Sequence, residues 1–181
     1  MAGGIHGARR GAFPRLAGAL LAFSLSASAS ADTLYLLVDG VQGDAPATQP
    51  LGKGAFQLLT FTFSVDDASD SAPPGPTTDP AKLTDPHFDM PVTGAAVPLF
   101  ALAAQRKVIP KASFVAVDDS GKARYRVDFE QVVIRTLGLQ TLGSRDAVSG
   151  TLGYQRIRFR YGDGKDAPTS GWDRATNSAW K

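Results

Sequence analysis

Residues 125–134, YRVDFEQVVI, carry a strand pattern that changes halfway along. Apolar and charged side chains alternate from Tyr125 to Glu130, and this period of two predicts a half-buried β-strand. The alternation ends at Gln131, after which residues 132–134 are all apolar. A β-bulge at this point, or the passage of the strand into a more buried part of a sheet, accounts for the change.

Further segments predict strands around this one. In residues 55–65 the period of two places Leu59, Phe61, Phe63 and Val65 on one face. The stretch VDDSGKA, residues 117–123, supplies the turn between two strands. Strand formers also fill residues 32–38, 112–117 and 151–161, whereas the tail after Tyr161 is rich in turn residues.

A short helix interrupts this series of strands. Residues 99–106, LFALAAQR, predict a helix whose apolar face holds Leu99, Phe100, Leu102 and Ala103. Val108-Ile109-Pro110 then ends it and opens the next strand, where the missing N–H of proline does least harm. The predicted fold class is mainly β: a small antiparallel barrel or sandwich of two sheets with one short α-helix.

The N-terminal residues 1–31 have the composition of a cleaved signal peptide. Three arginines precede the apolar run LAGALLAFSLSASASA, which ends in small residues that fit a cleavage site. The run is short for a membrane span, and an uncleaved anchor is the alternative. We therefore expect one mature domain at residues 32–181, exported to the periplasm or the medium.

Charge and cysteine content exclude several classes of protein. The chain has 19 Lys and Arg against 17 Asp and Glu, and three of the arginines lie in the leader, so residues 32–181 carry a net charge of −1. The basic character of the whole chain thus gives no reason to expect nucleic acid as a partner. The chain has no cysteine, so it has no disulfide, thiol nucleophile or cysteine-based zinc site.

Residues 66–86 are acidic and rich in proline, which predicts a long exposed loop. Asp66, Asp67 and Asp70 lack the glycine and the final glutamate of a calcium-binding loop. A solvated loop is therefore the prediction, with no metal.

His87 is the one histidine of the mature chain, in the sequence DPHFDM. Asp85 and Asp89 lie two positions away on either side, and in a strand all three side chains would share a face. A weak metal site is conceivable there, but one histidine and two carboxylates make a poor ligand set. The favoured interpretation is a polar loop or an edge strand, so the sequence predicts no catalytic, cofactor-binding or metal-binding residue.

Five arginines and two tryptophans remain as candidates for a binding surface. Arg156, Arg158 and Arg160 share a strand face, and Arg124 and Arg126 occupy a possible neighbouring strand. They form either a stripe for a polyanion or, as the favoured interpretation, cross-strand pairs on an exposed face. Trp172 and Trp180 are expected either to anchor an interface or, for Trp172, to pack over the barrel end.

Four segments, taken in order, resemble the Hcp (haemolysin-coregulated protein) family, the tube proteins of type VI secretion. They are ADTLYLLVDGVQGD, PLFALAAQRKVIPKASFVAV, YRVDFEQVVIRTLGLQ, and YQRIRFRY followed by SGWDRATN, which together span roughly residues 32–177. The resemblance implies a two-sheet barrel with a helix at about Val97–Arg106 that protects strand edges. It also implies hexameric rings that stack into a hollow tube.

The resemblance therefore implies a non-enzymatic structural subunit, a homo-oligomer that carries protein cargo or contacts secretion machinery, with no cofactor. The chain departs from the family in its leader and in its proline-rich 66–86 loop. The alternative is an exported, stand-alone β-barrel binding module that has lost tube stacking. No membrane contact is expected of the mature form.

Overall fold

The computed structural model describes residues 32–46, 51, 54–66 and 82–180. The predicted signal peptide, residues 1–31, lies outside the described residues, as does most of the predicted 66–86 loop. Asp67 and Asp70 fall in that part of the loop. No helix within the described residues is long and apolar enough to cross a membrane.

The described chain is mainly β, as the sequence predicts, with one helix between the sixth and seventh strands. In chain order the elements are β1 Thr33–Val38, β2 Phe56–Leu58, β3 Thr60–Thr62, β4 Val65–Asp66, β5 Lys82–Leu83, β6 His87–Pro91, α1 Ala96–Gln105, β7 Ile109–Val117, β8 Ala123–Leu142, β9 Arg145–Gly153, β10 Arg156–Tyr161, β11 Thr169–Asp173 and β12 Ser178–Ala179.

The twenty-residue strand β8 belongs to two antiparallel sheets. Its first part lies between β7 and β10 in the first sheet, whose order is β12-β11-β10-β8-β7-β1-β2. Its second part, from Val133 to Leu142, pairs with β9 in the second sheet, whose order is β3-β6-β9-β8. Antiparallel β4 and β5 form a separate short pair.

The change of sheet occurs at the residue where the sequence pattern breaks. Gln131 has a φ of 52°, in the left-handed region that non-glycine residues seldom adopt. Pairing with β7 ends at Val132, and pairing with β9 begins at Val133. The predicted bulge or passage between environments is thus confirmed, because the strand turns here from one sheet into the other.

The main core lies between the two sheets and is dominated by phenylalanines. Phe114 stacks on Phe61 with ring centroids 3.9 Å apart and meets Phe129 edge-on at 5.7 Å. On the opposite face of the first sheet, Tyr35 and Val115 belong to a smaller buried cluster. With a cluster on each face, β7 is buried at every position from 112 to 117, as the mostly apolar composition of this segment predicts, and the one polar residue, Ser113, is buried with the rest.

The helix α1 ends where the sequence predicts and begins a turn earlier. Arg106 closes it with a φ of 49°, and its N–H donates to the carbonyl of Ala103. The helix contacts β8 and borders a cavity with Leu137 and Leu139, which lie in the part of β8 that no longer pairs with β7. Its position agrees with the predicted protection of a strand edge.

The sequence prediction of which side chains point into the core is wrong at several positions. The segment 55–65 forms three short strands instead of one, because it passes from the first sheet to the second at Leu59. Leu59 and Val65 are therefore exposed, while Phe61 packs against the core. In α1, Leu99 is buried, but Phe100 is exposed. The tail, predicted as turns, adds β11 and β12.

Replacing Gln131 tests the left-handed junction. We expect Gln131→Val to lower the free energy of unfolding by about 1–3 kcal/mol, because a β-branched residue is strained at positive φ. Gln131→Gly should be tolerated, since glycine adopts this conformation freely. Urea unfolding measures both.

The matched control is Gln57→Val, an exposed glutamine within β2 whose backbone is extended. Valine suits such a position, so this variant should unfold like the parent chain. Equal losses at positions 57 and 131 would contradict a special backbone at Gln131.

Candidate functional site

His87 lies in a strand paired on both sides, with β3 and β9 as its neighbours. The favoured prediction of a loop or edge strand is therefore wrong. Asp89 shares its face and is buried, accepting hydrogen bonds from Thr60 Oγ1 at 2.6 Å and Gln140 Nε2 at 2.8 Å. These bonds occupy both carboxylate oxygens, which explains how a charged group is accommodated there.

The grouping of Ser149, His87 and Asp89 contains the residue types of a hydrolase triad but not its geometry. His87 Nε2 is 3.4 Å from Ser149 Oγ and 3.5 Å from Asp89 Oδ1. A relay needs the serine and the carboxylate on opposite ring nitrogens, whereas here both lie against the same one. The arrangement therefore cannot orient the ring to activate the hydroxyl.

Asp85 does not join His87 and Asp89 on one face as the sequence suggested. It lies before β6, and its carboxylate contacts Arg135 Nε at 2.6 Å and Arg174 at 3.0 Å. Asp66 lies in β4, where its carboxylate accepts a hydrogen bond from Ser64 Oγ. Within the described residues, no group of three or more His, Asp or Glu side chains is placed to hold a metal ion.

The arginines of β10 and of the start of β8 lie near carboxylates, and three of them form ion pairs. Arg156 Nε donates to Asp173 at 2.7 Å, and its second contact is Glu130 at 3.4 Å. Arg126 pairs with Asp128 on its own strand, and Arg124 pairs with Asp32 at 3.0 Å. The favoured interpretation, cross-strand pairing on an exposed face, is confirmed for Arg156.

The charged face also borders a cavity of about 700 Å³. Its charged lining comprises Lys111, Arg126, Arg158, Asp39, Asp128 and Glu130. Among the described residues the cavity therefore has as many acidic as basic side chains. Such a balance does not suit a polyanion, which needs an excess of positive charge.

The two tryptophans hold different positions. Trp172 is partly buried and packs against the main core, which agrees with the prediction that it covers the barrel end. Trp180 lies against the charged face, with the guanidinium of Arg158 4.1 Å from its ring centroid. Trp180 therefore contributes a cation–π contact that closes the tail onto the first sheet.

Two apolar surfaces are exposed at opposite ends of β8. We define the helix groove by Val92, Val97, Phe100, Leu137 and Leu139, which border a cavity of about 460 Å³ between α1 and β8. Val97 is 67% exposed, Phe100 64% and Leu139 77%.

We define the aromatic strip by Phe63, Val65, Phe159, Tyr161 and Trp172. Four of these residues border a cavity of about 270 Å³, and Tyr161 extends the face of Phe159 along β10. Val65 is 59% exposed, Tyr161 55% and Phe159 46%. Exposed apolar patches of this kind on a folded domain mark contact surfaces.

Sequence reasoning did not identify either surface. It assigned Phe100 to the apolar face of the helix, and the alternation that puts Arg156, Arg158 and Arg160 on one face of their strand leaves Phe159 and Tyr161 on the other face with the buried Ile157. The pattern is wrong for Phe100, which is 64% exposed, whereas along β10 the alternation is correct but Phe159 and Tyr161 are not covered as Ile157 is. Periodicity reports which side a residue faces and not whether something covers that side.

A two-sheet antiparallel barrel with a helix at its side defines the structural class, and solved structures of this class are similar to the chain. The crystal structure of Hcp1 from Salmonella typhimurium is 18% identical, has a TM-score of 0.70, and matches over 83% of this chain and 99% of that chain. A type six secretion system protein is 19% identical, with a TM-score of 0.71 over 83% of this chain and 100% of that chain. The secreted protein Hcp3 from Pseudomonas aeruginosa is 10% identical, with a TM-score of 0.57 over 80% and 98%.

The fold is therefore that of the Hcp proteins, and the resemblance seen in the sequence is confirmed at the level of the fold. No protein-family model matches the sequence, and no curated protein matches it either. The similarity is carried by the arrangement of strands and helix, with few identical residues.

The Arg156–Asp173 pair predicts an acid-dependent loss of stability. The hydrogen bond from Arg156 lowers the pKa of Asp173 below its ordinary value of 3.8. A lowered folded-state pKa stabilises the protein above the ordinary value, and this contribution is lost as the pH falls through the folded-state pKa. Thermal unfolding of the parent chain and of Asp173→Asn measures the effect.

We expect the parent to have the higher melting temperature at neutral pH. The difference should stay constant down to about pH 5 and shrink below pH 3.8, the ordinary value of Asp. Lys82→Gln, an exposed change in the separate β4–β5 pair, provides the control. A difference between parent and Asp173→Asn that persists unchanged at the lowest pH would refute the ionic origin.

Proposed function

We propose that this chain is a non-enzymatic structural subunit that forms closed rings, most simply hexamers, which stack into a tube and carry protein cargo. The observation that carries the proposal is the fold match, which covers 99% and 100% of two type VI secretion-related chains. The match therefore extends over nearly the whole length of each of those chains. Its two exposed apolar surfaces support association with further copies.

The described chemistry also favours a structural role over an enzymatic one. The serine–histidine–aspartate grouping found among the described residues has both partners on a single ring nitrogen, and the charged face is engaged in ion pairs. Clustered polar and charged side chains also occur in active sites. Here they instead form hydrogen bonds and ion pairs within the sheets.

The alternative is a stand-alone exported barrel that binds a partner without stacking. The charge-balanced cavity of about 700 Å³ beside Trp180 favours it, because a ligand with both charges would find complementary groups there. The two functions differ in particle size.

If the chain forms rings, the particle in solution is several times larger than one chain. We expect the processed protein to give a closed oligomer, most simply of six copies, in light scattering, and annular particles in electron microscopy. Measurement across a wide range of concentrations distinguishes this from weak association. A uniform monomer of ~17 kDa, scaled from chain length, would favour the binding module instead.

We also propose that residues 1–31 are removed during export and that assembly follows outside the cytoplasm. Three arginines, an apolar run and small residues at its end support this. Mass spectrometry of the exported protein should find a first residue near Ser30 or Asp32, with export unchanged when contractile secretion is disabled. An intact Met1, together with loss of export on deletion of the contractile machine, would overturn the proposal.

A further inference from the structure

We propose that the cavity of about 700 Å³ beside Trp180 binds a short, extended peptide. The peptide carries an ammonium and a carboxylate at one end and an aromatic side chain at the other. One copy of the chain supplies the residues that line the cavity. The site is therefore independent of whether the chain forms the rings proposed above.

The cavity lies on the outer face of the first sheet between two walls, and we name it the charged cleft. Its floor comes from β7, β8 and β10 and comprises Lys111, Ser113, Arg126, Asp128, Glu130 and Arg158. One wall is the turn after β1, where the N–H of Val41 donates to the carbonyl of Val38. The other wall is Trp180, whose N–H donates to the carbonyl of Gly171 in β11. Backbone hydrogen bonds thus hold both walls.

The dimensions of the charged cleft match one extended peptide. In the first sheet β7 and β8 lie between β1 and β10, so the floor crosses three strand spacings. At about 4.8 Å per spacing the cleft is roughly 14 Å long, and its volume gives a mean cross-section of about 50 Å². An extended chain packed among others occupies about 4.8 by 10 Å, which is the same area. Roughly four residues, at about 3.4 Å each, span this length.

Contacts within the chain fix the middle of the floor. Asp128 accepts a hydrogen bond from Ser113 Oγ at 2.6 Å and pairs with Arg126. Arg126 also donates to Ser113 Oγ at 2.8 Å, and Glu130 pairs with Arg156 at 3.4 Å. A floor held in this way keeps its shape before a ligand arrives, which lowers the free-energy cost of binding.

Two unlike charges at the β1 end are open to a ligand. The N–H of Asp39 donates to the carbonyl of Lys111 at 3.0 Å, which places the two residues side by side. Among the described residues, no hydrogen bond or ion pair involves the Asp39 carboxylate. The Lys111 side chain is 72% exposed, and its ion pair with Glu130 is 3.9 Å long. An N-terminal glutamate complements both, because its ammonium pairs with Asp39 and its side-chain carboxylate pairs with Lys111.

At the β10 end, Trp180 provides an aromatic surface. It is partly buried, and the guanidinium of Arg158 lies 4.1 Å from its ring centroid. Gly171 lets the tail lie this close to the sheet, since a Cβ atom there would be 2.6 Å from the carbonyl oxygen of Trp180. A phenylalanine side chain at the far end of the peptide packs against the exposed part of this ring, in the offset or edge-on contact that aromatic pairs prefer.

The test uses isothermal titration calorimetry with a synthetic tetrapeptide, glutamyl-glycyl-glycyl-phenylalaninamide. Three related peptides each lack one group: an N-acetylated form, a form with glutamine in place of glutamate, and a form with alanine in place of phenylalanine. The protein variants that match them are Asp39→Asn, Lys111→Met and Trp180→Ala. Asp166→Asn and Lys165→Met, which lie outside the lining of the cleft, are the matched controls.

We expect saturable binding of one tetrapeptide per parent chain. Each altered peptide should bind the parent roughly tenfold more weakly, because one charge or ring of the cleft loses its contact. Each cleft variant should bind the original tetrapeptide with a similar loss, and the matching change in the peptide should then cost nothing further. The two controls should bind like the parent. Thermal unfolding establishes that every variant is folded.

Other outcomes overturn the cleft or the ring separately. A folded parent without saturable binding, equal affinity for all four peptides, or additive losses between a variant and its matching peptide would overturn the proposed site. Asp39 and Lys111 are exposed, so their variants decide the outcome even where Trp180→Ala does not fold. Light scattering of the parent reports the ring: rings without peptide binding overturn the cleft alone, and peptide binding by a monomer overturns the ring alone.

Discussion

A single strand that serves two sheets is the constraint on which the rest of the structure depends. β8 runs through twenty residues and passes from the first sheet to the second at the left-handed Gln131, with a further register shift between Ile134 and Thr136. The chain directions of β7, β9 and β10 are then set, because each pairs with a defined part of β8. The phenylalanine core forms in the space that this bend encloses.

The same strand creates the need for the helix. Past Val132, β8 has lost β7 as a neighbour but is still part of a sheet, so one of its edges faces outward. The helix α1 immediately precedes β7 and contacts β8 at this place. A helix covers a strand edge without extending the sheet, and this prevents uncontrolled pairing with other chains. It does so incompletely, and the helix groove is what remains.

Charged and apolar side chains occupy different parts of the surface, and the course of β8 separates them. On the outer face of the first sheet, arginines and carboxylates satisfy one another within the chain. Apolar side chains are instead exposed at the two ends of β8, beyond the reach of the core. Charged groups are thus largely paired within one copy, whereas apolar side chains stay exposed at the helix groove and the aromatic strip.

The amino-acid sequence by itself determined the strand pattern, the helix, the break at Gln131 and the charged stripe, because each is a local periodicity. Segment order was enough to indicate the Hcp fold. Tertiary structure alone decided which apolar residues are covered: Leu59, Val65 and Phe100 fit an inward pattern but are exposed. It also decided that His87 lies in the middle of a sheet and that Asp85 pairs with Arg135 and Arg174. These outcomes depend on which distant segments meet, and the spacing of residues along a strand contains no information about its neighbours.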